Sequence, residues 1–219
     1  MCPDMPIPSN NKERIKIEAV FSGVGGQGII TMGTILGIAC SKIGLNIITA
    51  ETHGMSQRMG MVDFFVRIGD VEAPLVPQAS ADIVVSLEMI EALRSVKYLK
   101  RCGWLLIADI YIPPPYTENV PSRKDIVNVL ERLPINSMLI NVEEIIEKLN
   151  DSRVVNMAML GAFMALENVS KIIPVTLVED VVEERLGPIN REAFEMGYNQ
   201  AVKKIKDEDL VSRCAKANA

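Results

Sequence analysis

The sequence predicts an α/β fold: a three-layer domain with a mainly parallel, mixed sheet and a helical C-terminal third. Three observations carry that prediction. Short β-branched runs alternate with helix-length segments as far as residue 149, the pattern of a sheet covered by the helices that connect its strands. The first run leads into Ser22-Gly23-Val24-Gly25-Gly26-Gln27-Gly28, a glycine turn of the Rossmann-like kind between a strand and a helix. Beyond Arg153 the strand pattern stops, and three helical segments follow, separated by Pro174 and by Gly187-Pro188.

Taken in order, residues 1–14 are polar and proline-containing and read as a loose leader; residues 15–219 read as one domain. Residues 15–21 alternate and then turn apolar, as a first strand does. Residues 29–42 are small and apolar and close near Gly44, which predicts a buried helix. Residues 46–51 form a short second strand, and a Gly/Met-rich loop runs over 52–60. In 61–68, Val62, Phe64 and Val66 share one face of a strand. Strands follow over 83–87 and 104–109, with a helix starting near Glu88 between them. Pro113-Pro114-Pro115 is a rigid loop that no helix or central strand accommodates. A helix over 125–133, a strand over 135–141 and a helix over 142–149 complete the alternation. The last third reads as helices over 153–168, 175–186 and 189–206. Residues 154–166 are almost wholly apolar, interrupted by Asn156, and read as a helix that covers the sheet or meets another subunit, the core reading being the simpler.

Composition narrows the function classes. The chain has 219 residues, 48% of them hydrophobic, enough for a sizeable core. The formal charge of -5 lacks the basic face of a nucleic-acid binder and gives nothing to attract an anionic membrane. No apolar run approaches the ~18–20 residues of a membrane span. The N-terminal residues lack the basic and apolar regions of a secretory signal. Cys2, Cys40, Cys102 and Cys214 are scattered without a C-x-x-C, and there is one histidine. No metal site and no disulfide framework are therefore expected, and the compartment reads as cytoplasmic. A mean hydropathy of +0.20 points to an apolar face that a partner covers.

The glycine turn is the strongest chemical feature. Gly23, Gly25 and Gly28 fit G-x-G-x-x-G, and Glu51 ends the next strand about 20 residues on, as a ribose-binding acid would. Glycines let backbone N–H groups approach an anion, and a helix N-terminus adds partial positive charge. A bound dinucleotide, another anionic ligand and a plain strand-to-helix turn are all compatible with this. The candidate anion-binding set is Ser22, Gly23, Gly25, Gly26, Gln27 and Gly28. A second feature is the run Glu51-Thr52-His53-Gly54-Met55-Ser56-Gln57-Arg58, at the strand end where open α/β sheets place ligands. His53, Gln57 and Arg58 are its candidates for contact with a substrate or partner; an Arg there suits a carboxylate or phosphate. Asp109 reads as a loop-capping carboxylate. No nucleophile–base pair is discernible, so no catalytic residue is assigned within the chain.

Gly23-Val24-Gly25-Gly26-Gln27-Gly28, then Glu51-Thr52-His53-Gly54 with Gln57-Arg58, then Ala73-Pro74-Leu75-Val76-Pro77 resemble the gamma-type domain of the 2-oxoacid:ferredoxin oxidoreductases, in particular the small subunit of the indolepyruvate enzymes. The resemblance in motif order covers roughly residues 15–109. It implies a Rossmann-like subunit of an enzyme whose large partner carries thiamine diphosphate and iron–sulfur clusters. That partner decarboxylates a 2-oxoacid, passes electrons to ferredoxin and releases the acyl group on coenzyme A. This chain would then have no assigned cofactor of its own, would complete the active-site region and help hold coenzyme A, and would be inactive when isolated, where it could pair with itself as a homodimer. The family's loop continues as Arg-Gly-Gly, whereas this chain has Arg58-Met59-Gly60; a Met does not readily adopt positive φ, which bears on loop shape and on substrate. Two other readings stand beside this one: a self-contained NAD- or flavin-nucleotide-binding dehydrogenase or regulatory module, and an assembly subunit without a ligand.

Overall fold

A computed structural model describes residues 16–53, 60–113 and 120–207. Six strands form one sheet: β1 (Lys16–Val24), β2 (Ile47–His53), β3 (Met61–Gly69), β4 (Ala81–Ser86), β5 (Leu99–Ala108) and β6 (Asn136–Ile140), in the order β2-β3-β1-β4-β5-β6. The β1–β4, β4–β5 and β5–β6 pairs are parallel. The β1–β3 and β2–β3 pairs are antiparallel, so the sheet is mixed, as expected. The expected leader, 1–14, lies outside the described residues.

The strands alternate their side chains between two cores. On one face Phe21, Phe64, Val66, Ile83 and Leu106 pack under α1 (Ile29–Lys42), α4 (Val142–Leu149), α5 (Val155–Met164), α7 (Val175–Leu186) and α8 (Pro188–Lys206). On the other, Val20, Phe65, Val84 and Leu105 pack under α2 (Met89–Ser95) and α3 (Arg123–Glu131). All ten residues of α5 are buried, which resolves the apolar run over 154–166 in favour of the core. α8 lies so close to it that a Cβ on Gly161 would fall 2.0 Å from the Phe194 carbonyl oxygen, and one on Gly197 1.9 Å from that of Ala158. Phe21 and Phe163 join sheet and α5 edge to face, with ring centroids 5.3 Å apart.

Several boundaries differ from the sequence reading. β1 runs on to Val24, so Gly23 and Val24 pair with β3 before the turn begins. β5 starts at Leu99 rather than 104, with a register shift near Ala81–Ile83 and Cys102 at φ 61; this kink hides the strand's first half from a pattern search. The helix expected over 153–168 divides because Leu166 is extended, leaving α5 and a one-turn α6 (Glu167–Ser170). α3 begins at Arg123 because Ser122 and Asp125 form a reciprocal capping box. No disulfide framework was expected, yet Cys102 is disulfide-bonded. Cys40 is a buried free thiol, and burial pushes its pKa up to about 11.

Candidate functional site

α1 follows β1 onto one face of the sheet, whereas α2 follows the neighbouring parallel strand β4 onto the other. Their connections part at the carboxyl ends of β1 and β4, and such a switch point opens a crevice where α/β sheets bind ligands. The glycine turn sits in it. Gly25 N–H donates to the Gly60 carbonyl (2.9 Å) and Gln27 N–H to that of Val24 (3.1 Å). The Gln27 side chain accepts from Val24 N–H at 2.7 Å and donates to the Leu87 carbonyl at 3.2 Å. Leu87 N–H in turn donates to the Ser22 carbonyl (2.9 Å). Gly23 is a glycine for space: a Cβ there would lie 2.5 Å from Gln27 Oε1.

Gly28 is the N-cap of α1, with φ 80 and no side-chain cap, and the first turn of α1 carries no acidic residue. The opening N–H groups of α1 have no intrahelical acceptor, and their partial positive charge meets no neutralising carboxylate within the turn itself. They front a cavity of about 300 Å³ lined by Gly25, Gly26, Gly28, Ile29, Ile30 and Glu51, among others. Gly26, Gln27 and Gly28 also line a second cavity of about 420 Å³, whose other walls include Ile110, Arg153 and Asn156. The turn is the partition between the two.

The expected residues thus divide by role. Gly25, Gly26 and Gly28 line the cavities, and Gln27 is largely a strut that holds the turn. Ser22 faces away: its hydroxyl is buried against that of Ser95 at 2.7 Å, because β1 directs it to the α2 side of the sheet. His53 ends β2, while Gln57 and Arg58 lie outside the described residues. Asp109 is held by Arg123, whose guanidinium also donates to the Asp109 carbonyl at 2.9 Å, in keeping with its reading as a loop cap.

Arg153 and Asn156 escaped the sequence reading as site residues. Arg153 is bound by Asp151 through Nη2 at 2.7 Å and Nε at 3.0 Å, and these bonds hold the Asp151 carboxyl down to about 2. Asn156 left one signal, a polar residue inside an apolar helix. A buried polar group also lies beneath the turn on the α2 side. Asp63 accepts from the Tyr98 hydroxyl at 3.2 Å, and its carboxyl is raised chiefly by burial. Glu91 is raised by burial too, with the negative charges of Glu88 and Asp63 adding to it.

The topology departs from the dinucleotide-binding pattern. In a nucleotide-binding sheet of that type the ribose acid ends the strand beside β1 and parallel to it. Here β3 runs antiparallel between β1 and β2, so Glu51 stands two strand spacings from β1, about 9.5 Å.

The model of the pyruvate ferredoxin/flavodoxin oxidoreductase family matches residues 18–200. Indolepyruvate oxidoreductase subunit IorB of Archaeoglobus fulgidus is 36% identical over 199 residues, covering 86% of this chain and 96% of the relative. The gamma subunit of a keto/oxoacid ferredoxin oxidoreductase from Geobacter sulfurreducens superposes with a TM-score of 0.66 at 25% identity, over 85% of this chain and 99% of that one. The fold also matches 31% of a chain of the 2-oxoglutarate:ferredoxin oxidoreductase of Magnetococcus marinus, at a TM-score of 0.63 and 20% identity over 86% of this chain. That structure was determined with 2-oxoglutarate, coenzyme A and succinyl-CoA bound.

The chain belongs to the pyruvate ferredoxin/flavodoxin oxidoreductase family. Within it, the chain is a small, gamma-type subunit of an oxidoreductase, similar over most of its length to the indolepyruvate subunit. Its relatives are subunits of multi-subunit complexes, and none of its described helices is long and apolar enough to cross a membrane.

Proposed function

We propose that this chain is the small subunit of an indolepyruvate-type 2-oxoacid:ferredoxin oxidoreductase, and that its glycine turn holds an anionic part of coenzyme A. The complex would convert a 2-oxoacid, coenzyme A and two oxidised ferredoxins to an acyl-CoA, carbon dioxide, a proton and two reduced ferredoxins. A larger partner would carry the thiamine diphosphate and the iron–sulfur clusters and pass the electrons on. Similarity to an indolepyruvate subunit over 96% of that relative's length is the observation that carries the assignment.

For coenzyme A the fit lies in the turn. Gly25, Gly26 and Gly28 leave the backbone bare, and an α1 N-terminus without a side-chain cap fronts the cavities. A phosphate suits those donors. Gly26 and Gly28 line both cavities, so a long ligand laid across the turn meets both. Residues 53–58, with His53, Gln57 and Arg58, would face the partner. The chain's own contribution is positioning and electrostatics, with no covalent step and no activity when alone.

The test is purification of the tagged chain from its source cells without oxygen, followed by assay of the recovered complex on a panel of 2-oxoacids. Recovery with a larger iron–sulfur, thiamine diphosphate subunit and coenzyme A-dependent ferredoxin reduction with arylpyruvates supports the proposal. A chain recovered alone with a nicotinamide or flavin nucleotide overturns it.

A further inference from the structure

We infer that Asn156 is a positioning residue for the glycine turn: from the buried helix α5 it sets the direction of the Gly28–Ile29 peptide and thereby the affinity of the turn for its anion. The inference rests on the proposal that the turn holds an anionic part of coenzyme A.

Asn156 is the one polar side chain of the buried helix α5 and is 6% exposed. Both ends of its amide are engaged. Oδ1 accepts from Met157 N–H at 2.9 Å, and Nδ2 donates to the Gly28 carbonyl at 3.2 Å across 128 residues of chain. That carbonyl also receives Met32 N–H at 3.3 Å, the first backbone bond of α1. The C=O and N–H of a trans peptide point in opposite directions. Two donors on the Gly28 oxygen therefore fix the Ile29 N–H outward from the helix end, on the side where Gly28 and Ile29 line the 300 Å³ cavity. Gly28 must be a glycine for the same contact, since its φ is positive and a Cβ would lie 2.3 Å from Asn156 Nδ2. Asn156 itself lines the neighbouring cavity, so it reaches the Gly28 carbonyl from the other side of the turn.

The test uses the assembled complex and the KM for coenzyme A. Asn156→Asp keeps the size and the acceptor for Met157 N–H but replaces the donor with a carboxylate facing a carbonyl. Its KM is expected to rise about fivefold, the worth of one hydrogen bond, with kcat within twofold. The ratio to the unaltered complex should shrink towards pH 5, as a protonated carboxyl regains a donor. Ile30→Asp serves as the control for the turn itself. It places a negative charge at the cavity mouth, on a residue 49% exposed, without disturbing the core. If Ile30→Asp raises the KM and Asn156→Asp does not, the role of Asn156 is overturned while the turn reading stands. If neither does, the coenzyme A reading fails and takes the inference with it. Losses in kcat and in melting temperature that do not recover with acid mark Asn156 as merely structural and also overturn it.

Discussion

The side chain of Gln27 ties the end of β1 to a carbonyl just past β4: its amide donates to the carbonyl of Leu87, 60 residues further along the chain, at 3.2 Å while its oxygen receives Val24 N–H at 2.7 Å. The turn is thus tied across the switch point to the end of β4, and the crevice keeps a set width. Removing both bonds leaves two partly buried backbone groups without this partner. Gln27→Ala is expected to destabilise the chain by about 1–3 kcal/mol, and Gln27→Glu, which keeps only the acceptor, by less. Urea unfolding of the two variants checks the order; equal losses would show that the Leu87 bond contributes all of the effect.

Two glycines one turn apart on α1 should respond in opposite directions. A Cβ on Gly33 would lie 2.1 Å from the ring of Phe64, whereas one on Gly37 meets nothing within 4 Å. Gly33→Ala must push the ring aside, for a loss of about 1–3 kcal/mol. Gly37→Ala gains helix propensity, up to about 1 kcal/mol. Thermal unfolding should show one melting temperature falling and the other rising, and a fall for both would mean that the outer face of α1 is covered when the chain is free.

Much of this site was legible in advance because it is local. The glycine turn needs one stretch of chain, and residues 54–60 form a link too short for a parallel crossover, which takes a dozen or more residues. The antiparallel β2–β3 pairing was therefore open to inference. What could not be read is the company each polar side chain keeps. Ser22 and Gln27 looked alike as donors beside a turn. One meets Ser95 on the far side of the sheet, and the other meets Leu87. Those pairings depend on which strand lies next to β1, and no pattern within 22–28 encodes that. Asn156 shows the intermediate case: its residue type flagged it, but its partner, Gly28, needed the packed fold.

The buried carboxyls give stability a defined pH dependence. Asp63 and Glu91 both titrate above their ordinary values, chiefly through burial, so the folded chain holds protons that the unfolded chain has released. Their contribution is present in full below about pH 4, the unfolded value, and is lost as pH rises through the raised folded values. Asp151 acts in the opposite sense and in another window. Held down to about 2 by Arg153, it gives support above about pH 4 that is lost as pH falls towards 2. Urea midpoints taken from pH 4 upward should decline for the unaltered chain and decline less for Asp63→Asn. Parallel curves for the two would mean that Asp63 is ionised throughout.

Arg153 offers a test of where the ligand's charge lies. Its side chain is 88% exposed, at the wall of the 420 Å³ cavity that shares Gly26 and Gly28 with the first. Asp151 neutralises part of its charge, and an exposed guanidinium acts through solvent, so its pull on an anion is modest and screened by salt within about 10 Å at 0.1 M. In the assembled complex Arg153→Ala is expected to raise the KM for coenzyme A about twofold at low salt, an effect of the size of a surface ion pair. The two KM values should converge in ~1 M salt, where screening shortens to about 3 Å. A rise that persists in high salt would instead mean a direct bidentate contact with the ligand. No change at any salt would mean that no anionic part of the ligand enters the 420 Å³ cavity, leaving the group received by the N–H groups of α1, on the other side of the glycine partition, as the one the turn holds.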